Sequence, residues 1–369
     1  MKLCNFCNSA NSNSFESTDS DCYLCQGALS NLESTLLMAA DALSFQIDCK
    51  TFSISTTIPK DWLTREDYLW DIKSSGAMSI KSYLNRYIIE FLSARSNLST
   101  SSEGDIRLSI DPVSKQISIS KSEIFIFGRY KKFKAGLSQS RWKCSDCFGS
   151  GCKNCSGSGK NFESVEERIG EPMKKAFASD DYVLHASGRE DVDALNTGGR
   201  PFVMEIKNPQ KRIVNLEELA IVISRTGEVS VSDLKFVSRS TVELVTESHF
   251  DKSYSALTEF GRDLSPTDIQ VVSSLLGQTI DQFTPERVAH RRANITRYRK
   301  IKDIKLSKIS GNVGTIDVTA EAGTYIKELI SSDNGRTKPS ISQVLSTSAK
   351  CTLLTVTHID DSFLSFVIL

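Results

Sequence analysis

In the string GREDVD, residues 188–193, two aspartates stand two positions apart beside an arginine. A carboxylate can serve as a nucleophile, a general base or a metal ligand. Asp191 and Asp193 could clasp a magnesium ion, although no further carboxylate motif completes such a site; a polar turn with a capping aspartate is the plain alternative. The residues alone leave these readings open. Sulfur chemistry is more specific. Eight of the ten cysteines form C-x-x-C pairs: Cys4/Cys7, Cys22/Cys25, Cys144/Cys147 and Cys152/Cys155. A two-residue spacer lets both sulfurs of a pair reach one ion, and four thiolates make a closed structural zinc site. The spacing therefore predicts one or two structural zinc ions. The simplest grouping is local, with cross-pairing between the N-terminal and central pairs left open.

These groups need elements to position them. Apolar spacing near 3.6 predicts helices over 28–45, 80–94 and 164–178, and another after the SPTD cap at 265–268. Alternation predicts strand–turn–strand over 105–130. Residues 8–20 read as a polar loop. Further strands are expected at 202–206, 213–222 (with helical character in NLEELA), 234–237, 244–246, 304–318 and 352–369. The predicted division is a cysteine segment at 1–30, an α/β domain at 31–143, a knuckle at 144–160 and a larger domain at 161–369. No window carries the apolar length of a membrane span, and MKLCNFCNSANS lacks the apolar core of a signal peptide. An intracellular, cytoplasmic protein is expected, and a monomer.

Net charge is zero, so any nucleic-acid signal must be local. Residues 128–143 carry Arg129, Lys131, Lys132, Lys134, Arg141 and Lys143 with no acid, interleaved with Tyr130, Phe133 and Trp142. Residues 287–308 hold nine cations, among them Arg287, Arg291 and Arg292, against one acid. Cations neutralise phosphates and aromatic rings stack on unpaired bases, so both runs read as RNA contacts.

GRED resembles the G-R-T-D turn of pseudouridine synthases, and GREDVDALNTGGRPFVMEIKNP is similar to the signature of the tRNA pseudouridine synthases of the Pus "ten" type. The resemblance extends through IFGRYKKFKAGLSQSRWKCSDC, KSYSALTEF, TPERVAHRRA and AGTYIKELISSDNGRTKPSISQVL, covering about residues 20–369 in the family's order. It implies an α+β protein. The N-terminal part would be a zinc-bearing, THUMP-type RNA-binding domain, and the C-terminal part a pseudouridine synthase fold, a mixed sheet flanked by helices. It also implies isomerisation of uridine 54 and/or 55 in the TΨC arm of tRNA, with no organic cofactor. On the family's motifs Asp191, not Asp193, is the essential carboxylate. Lys327 is its basic partner, and Tyr254 stacks on the base and takes the C5 proton. Ile326 and Leu354 wall the uracil, and Arg189 fills the gap left by the everted base. Arg200 is expected on phosphate or paired with Asp193. The other readings are a non-catalytic zinc RNA-binding protein and a THUMP-containing enzyme of another class, such as a methyltransferase. The latter needs a nucleotide or S-adenosylmethionine pocket, and no G-x-G-x-x-G or P-loop is present.

Overall fold

The computed structural model describes residues 1–46, 48–73, 76–291 and 293–368. They form an α+β protein with mixed sheets that divides into two compact units.

The first unit comprises residues 1–123 with two short returns, 177–180 and 207–213. Its four-stranded sheet runs in the order Ser99–Thr100, Thr51–Thr56, Ile106–Asp111, Gln116–Lys121. Thr51–Thr56 is parallel to Ile106–Asp111, which turns back antiparallel through a hairpin. There the Asp111 carboxylate accepts from the Val113 and Ser114 N–H groups, a side-chain-closed turn. Helices Leu32–Ser44 and Ile80–Ser93 bury the periodic stripe that the sequence displays, Leu36 and Leu43 on one, Leu84, Ile88 and Leu92 on the other, in one core with Phe52, Ile106 and Leu108. Cys7, Cys22 and Cys25 are buried in that same core. Residues 5–10 are helical where a loop was expected from position 8. A helix at Lys60–Ile72 was not expected. It buries only Trp62, Glu66 and Leu69, too few apolar positions to register as a stripe.

The second unit is built on a ten-stranded sheet. Its order is Val229–Val237, Ile124–Lys132, Leu195–Lys207, Ala349–Ile359, Lys252–Phe260, Val313–Ala320, Thr296–Ser310, Thr279–Phe283, Thr337–Lys338, with Asp181–Ala186 paired to Leu195–Lys207. Ile124–Lys132 corrects the expected boundary. It lies between Leu195–Lys207 and Val229–Val237, antiparallel to both, rather than closing the preceding domain. Its IFIFG run is buried throughout. Two further differences concern β-branched runs. Residues 216–224 are helical, started by Asn215, whose side chain accepts from the Glu217 and Glu218 N–H groups. Residues 244–246 lie in the helix Ser240–Glu247. Local β preference yields there to burial of Thr241 and Val245 on one helical face.

Candidate active site

The chain between Asp181–Ala186 and Leu195–Lys207 is the GRED loop, and buried groups fix it from within. Glu190 points into the core, where its carboxylate accepts from the Tyr130 hydroxyl at 2.7 Å and forms an ion pair with Arg200 Nε at 2.7 Å. Both side chains are 1% exposed. Arg200 Nη1 also donates to the Ser187 carbonyl at 2.7 Å, and Gln139 Nε2 to the Gly188 carbonyl at 2.9 Å. Burial works against the charge of Arg200, but Glu190 overrides it and raises the guanidinium pKa. Arg200 is thus an internal anchor, not a phosphate ligand or a partner of Asp193, correcting that expectation. Gly188 takes φ +74° under the Arg200 guanidinium, and an added Cβ would lie 3.2 Å from Nη1, so a side chain is disfavoured on both grounds. Lys132, wholly buried, donates to the carbonyls of Leu137, Asp191 and Val192 at 2.9–3.1 Å.

On this frame the Asp191 side chain reaches outward to two cations. Arg287 Nη1 lies 3.0 Å from Oδ1, and Lys327 Nζ lies 3.5 Å from Oδ2. Lys327 is closer to Asp193, at 2.7 and 2.8 Å from its two oxygens. Burial tends to raise the Asp193 pKa, but the Lys327 hydrogen bonds bring it below the usual carboxylate range. Arg287 is set by Glu328, a buried carboxylate whose Oε1 accepts from Arg287 Nε at 2.6 Å. Burial lowers the Arg287 pKa, and Glu328 and then Asp191 more than restore it. Glu328 follows Lys327 on the short helix Ile326–Ser331, so one helical turn supplies the ammonium and the acid that aims the guanidinium.

The apolar wall is continuous with this loop. Ile326 and Leu354 are buried in one cluster with Ala194 of the loop and Ala256, and Tyr254 packs against that cluster. Tyr254 lies on Lys252–Phe260 opposite Val356 and Val318. Burial pushes its phenol up to about 12, so it is a neutral hydroxyl at physiological pH. Arg189 is exposed on the outer side of the loop, its guanidinium carbon 6.0 Å from the centre of the Trp142 ring.

The residues expected on RNA separate by strand alternation. Lys131 is exposed. Arg129 is tied to Asp361 and Asp233 at 2.7 and 2.9 Å. Lys132 faces the core, so neither it nor Arg129 offers the free cation that was expected. Arg287 is exposed but already engaged by Asp191 and Glu328. Arg292 and the side chain of Arg291 lie outside the described residues. Sequence reasoning missed Glu190, Glu328 and Gln139. Glu190 sits between two named residues of the motif, but a loop of three carboxylates carries no signal of which one turns inward.

Both cysteine groups assemble locally. The sulfurs of Cys4, Cys7, Cys22 and Cys25 lie within 4.8 Å of one another, as do those of Cys144, Cys147, Cys152 and Cys155. Sulfur separations of 3.7–3.9 Å match the edge of a tetrahedron with metal–sulfur bonds of about 2.3 Å, about 3.8 Å. The Cys152 N–H, and also the Gly159 N–H, donates to Cys155 Sγ, bringing that thiol down to about 6, toward the metal-binding thiolate. An added Cβ at Gly159 would meet the Gly149 carbonyl oxygen at 2.5 Å, so the knuckle turn requires glycine. Each group thus fits a structural zinc ion. Metal analysis of the purified protein is expected to give two zinc ions per chain, and one after Cys144→Ser/Cys147→Ser; an unchanged content in that variant would contradict the local grouping.

The family model described as "Pus10, C-terminal" matches residues 125–360. The tRNA pseudouridine synthase Pus10 of Korarchaeum cryptofilum is 35% identical over 345 residues, covering 92% of each chain. That of Archaeoglobus fulgidus is 34% identical over 338 residues, covering 91% of this chain and 94% of the relative. The chain belongs to the Pus10 family. The family match begins at residue 125, at the strand that the fold assigns to the second unit. Among solved structures, a Cbf5-Nop10-Gar1 complex matches with a TM-score of 0.32 at 18% identity, over 63% of this chain and 48% of that one, too distant to bear on fold or activity. Among the described residues no helix is long and apolar enough to cross a membrane.

Proposed function

We propose that this chain is a cytoplasmic tRNA pseudouridine synthase acting on uridine 54 and/or 55 of the TΨC arm, with Asp191 as its essential carboxylate. The observation that supports this most is the setting of Asp191: one oxygen faces Arg287, the other Lys327, on a loop anchored through buried Glu190. Asp193 takes the closer share of Lys327, so Lys327 steadies the charge of Asp191 without neutralising it. A module that only binds RNA has no use for such an arrangement. The first unit, on this reading, is the THUMP-type RNA-binding domain, and zinc shapes the N-terminal segment and the knuckle without entering the chemistry.

The reaction breaks C1′–N1, turns the uracil and joins C1′ to C5; the C5 proton leaves and N1 gains one. Nothing is oxidised and no group is donated, so no organic cofactor is required. The target base must first leave its stack. Asp191 attacks the ribose or assists glycosidic cleavage, Ile326 and Leu354 bound the uracil, and Arg189 occupies the vacated position. Tyr254 covers the base and presents its oxygen to C5; because the phenol is neutral, it takes the C5 proton only as its own hydroxyl proton passes to water, and N1 draws its proton from water. Tyr254→Phe keeps the packing and removes only that oxygen, and turnover is expected to fall by about 10²–10⁴-fold, the range for a proton-transfer group, with tRNA affinity retained. Wild-type turnover in this variant would exclude the phenol from the proton step. The activity itself is tested by tritium release from tRNA labelled at uridine C5; no release would sink the isomerase reading.

A further inference from the structure

The zinc knuckle sits at the end of a small antiparallel hairpin, Trp142–Lys143 with Lys160–Phe162, in which Trp142 and Phe162 are cross-strand partners. Their ring centres are 5.6 Å apart, and the residues are 38% and 39% exposed. Phe148, in the knuckle itself, is 79% exposed. Single exposed apolar residues are ordinary, but three aromatic rings on one small element leave apolar area in water that a partner would cover. The surrounding charge points to the kind of partner. Lys143, Lys153 and Arg189 are exposed and, among the described residues, make no ion pair. The acids are engaged: Glu163 with Lys160 and Arg168, Asp146 as acceptor for the Asn154 amide. Partly exposed aromatic rings beside cations without ion pairs suit an unpaired nucleobase and its phosphate, the combination by which proteins hold single-stranded RNA. An apolar protein surface would give the three cations no counterpart. The ledge also connects to the chemistry, because the Arg189 guanidinium lies over the Trp142 ring within cation–π reach, two residues before Asp191.

We propose that Trp142 and Phe162 form a stacking ledge for an unpaired nucleotide of the RNA substrate adjacent to the target uridine, with Arg189 linking that ledge to the Asp191 loop. This rests on the synthase reading for its substrate, but its test needs no turnover. The chain holds three tryptophans, Trp62, Trp70 and Trp142, and a base stacked on an indole quenches its fluorescence. Titrating the full-length, zinc-loaded protein with an unmodified tRNA transcript is expected to quench emission, and Trp142→Phe is expected to lose most of that quench. Trp142→Ala/Phe162→Ala should raise KM for tRNA by about tenfold or more, the effect of losing one base stack, while kcat stays within about threefold. Equal quenching in Trp142→Phe, or an unchanged KM in the double variant, overturns the ledge. So does an equal fall in kcat and kcat/KM, which would mark the hairpin as a support for the loop. A quench by protein partners but not by RNA would also refute it. If the quench is lost in Trp142→Phe yet no tritium is released by the wild type, the ledge stands and the synthase reading fails.

Discussion

Asp191→Asn is expected to abolish tritium release from C5-labelled tRNA, by about 10⁴-fold or more, as when a member of a catalytic unit is removed. The amide keeps the size of the side chain and an oxygen for one hydrogen bond, but it removes the negative charge that Arg287 and Lys327 surround. It is neither the nucleophile nor the charged stabiliser that glycosidic cleavage needs. Because Lys132 holds this stretch through the backbone carbonyls of Asp191 and Val192, the loop should keep its place. Binding of tRNA should therefore survive, measured by filter retention beside the activity assay. Turnover near the wild-type rate would remove Asp191 from the mechanism. Loss of binding together with turnover would mean that it serves the shape of the site rather than the reaction.

The second large effect concerns stability. Glu190→Gln should destabilise the second unit by about 3–5 kcal/mol, the penalty for leaving one charge of a buried pair without its counter-ion. Arg200 has no route to solvent, as both side chains are 1% exposed. Replacing both, as Glu190→Gln/Arg200→Met, removes the stranded charge and should recover part of the loss, leaving the cost of the hydrogen bond from Arg200 to the Ser187 carbonyl, while the glutamine oxygen still accepts from Tyr130. Urea unfolding of the three proteins side by side checks this. A single variant as stable as wild type, or a double variant no better than the single, would show that the pair is not what anchors the loop.

Much of this was legible in the sequence. The cysteine spacing announced the two four-sulfur groups, and the strong 3.6-residue stripes of Leu32–Ser44 and Ile80–Ser93 announced their helices. Asp191, Lys327, Tyr254, Ile326 and Leu354 enter only through the resemblance to the family's motifs, since residue chemistry alone does not choose between Asp191 and Asp193. What stayed hidden depends on long-range pairing. Ile124–Lys132 follows the hairpin strand Gln116–Lys121 closely in sequence, and only its pairing with Leu195–Lys207 and Val229–Val237 assigns it to the second unit. The same pairing decides the fate of each cation on it. Alternation sends Tyr130 and Lys132 inward and Lys131 outward, while Arg129 meets acids more than a hundred positions away. A count of positive charge cannot separate these. Glu328 was likewise unreadable, because its partner Arg287 lies 41 residues earlier.

The central claim is tested most directly by mapping pseudouridine, nucleotide by nucleotide, on an unmodified tRNA transcript incubated with the purified zinc-loaded protein. New pseudouridine at position 54, 55 or both, absent when Asp191→Asn is used instead, is the predicted result. A TΨC arm left as uridine by folded wild-type protein that binds the transcript would contradict it.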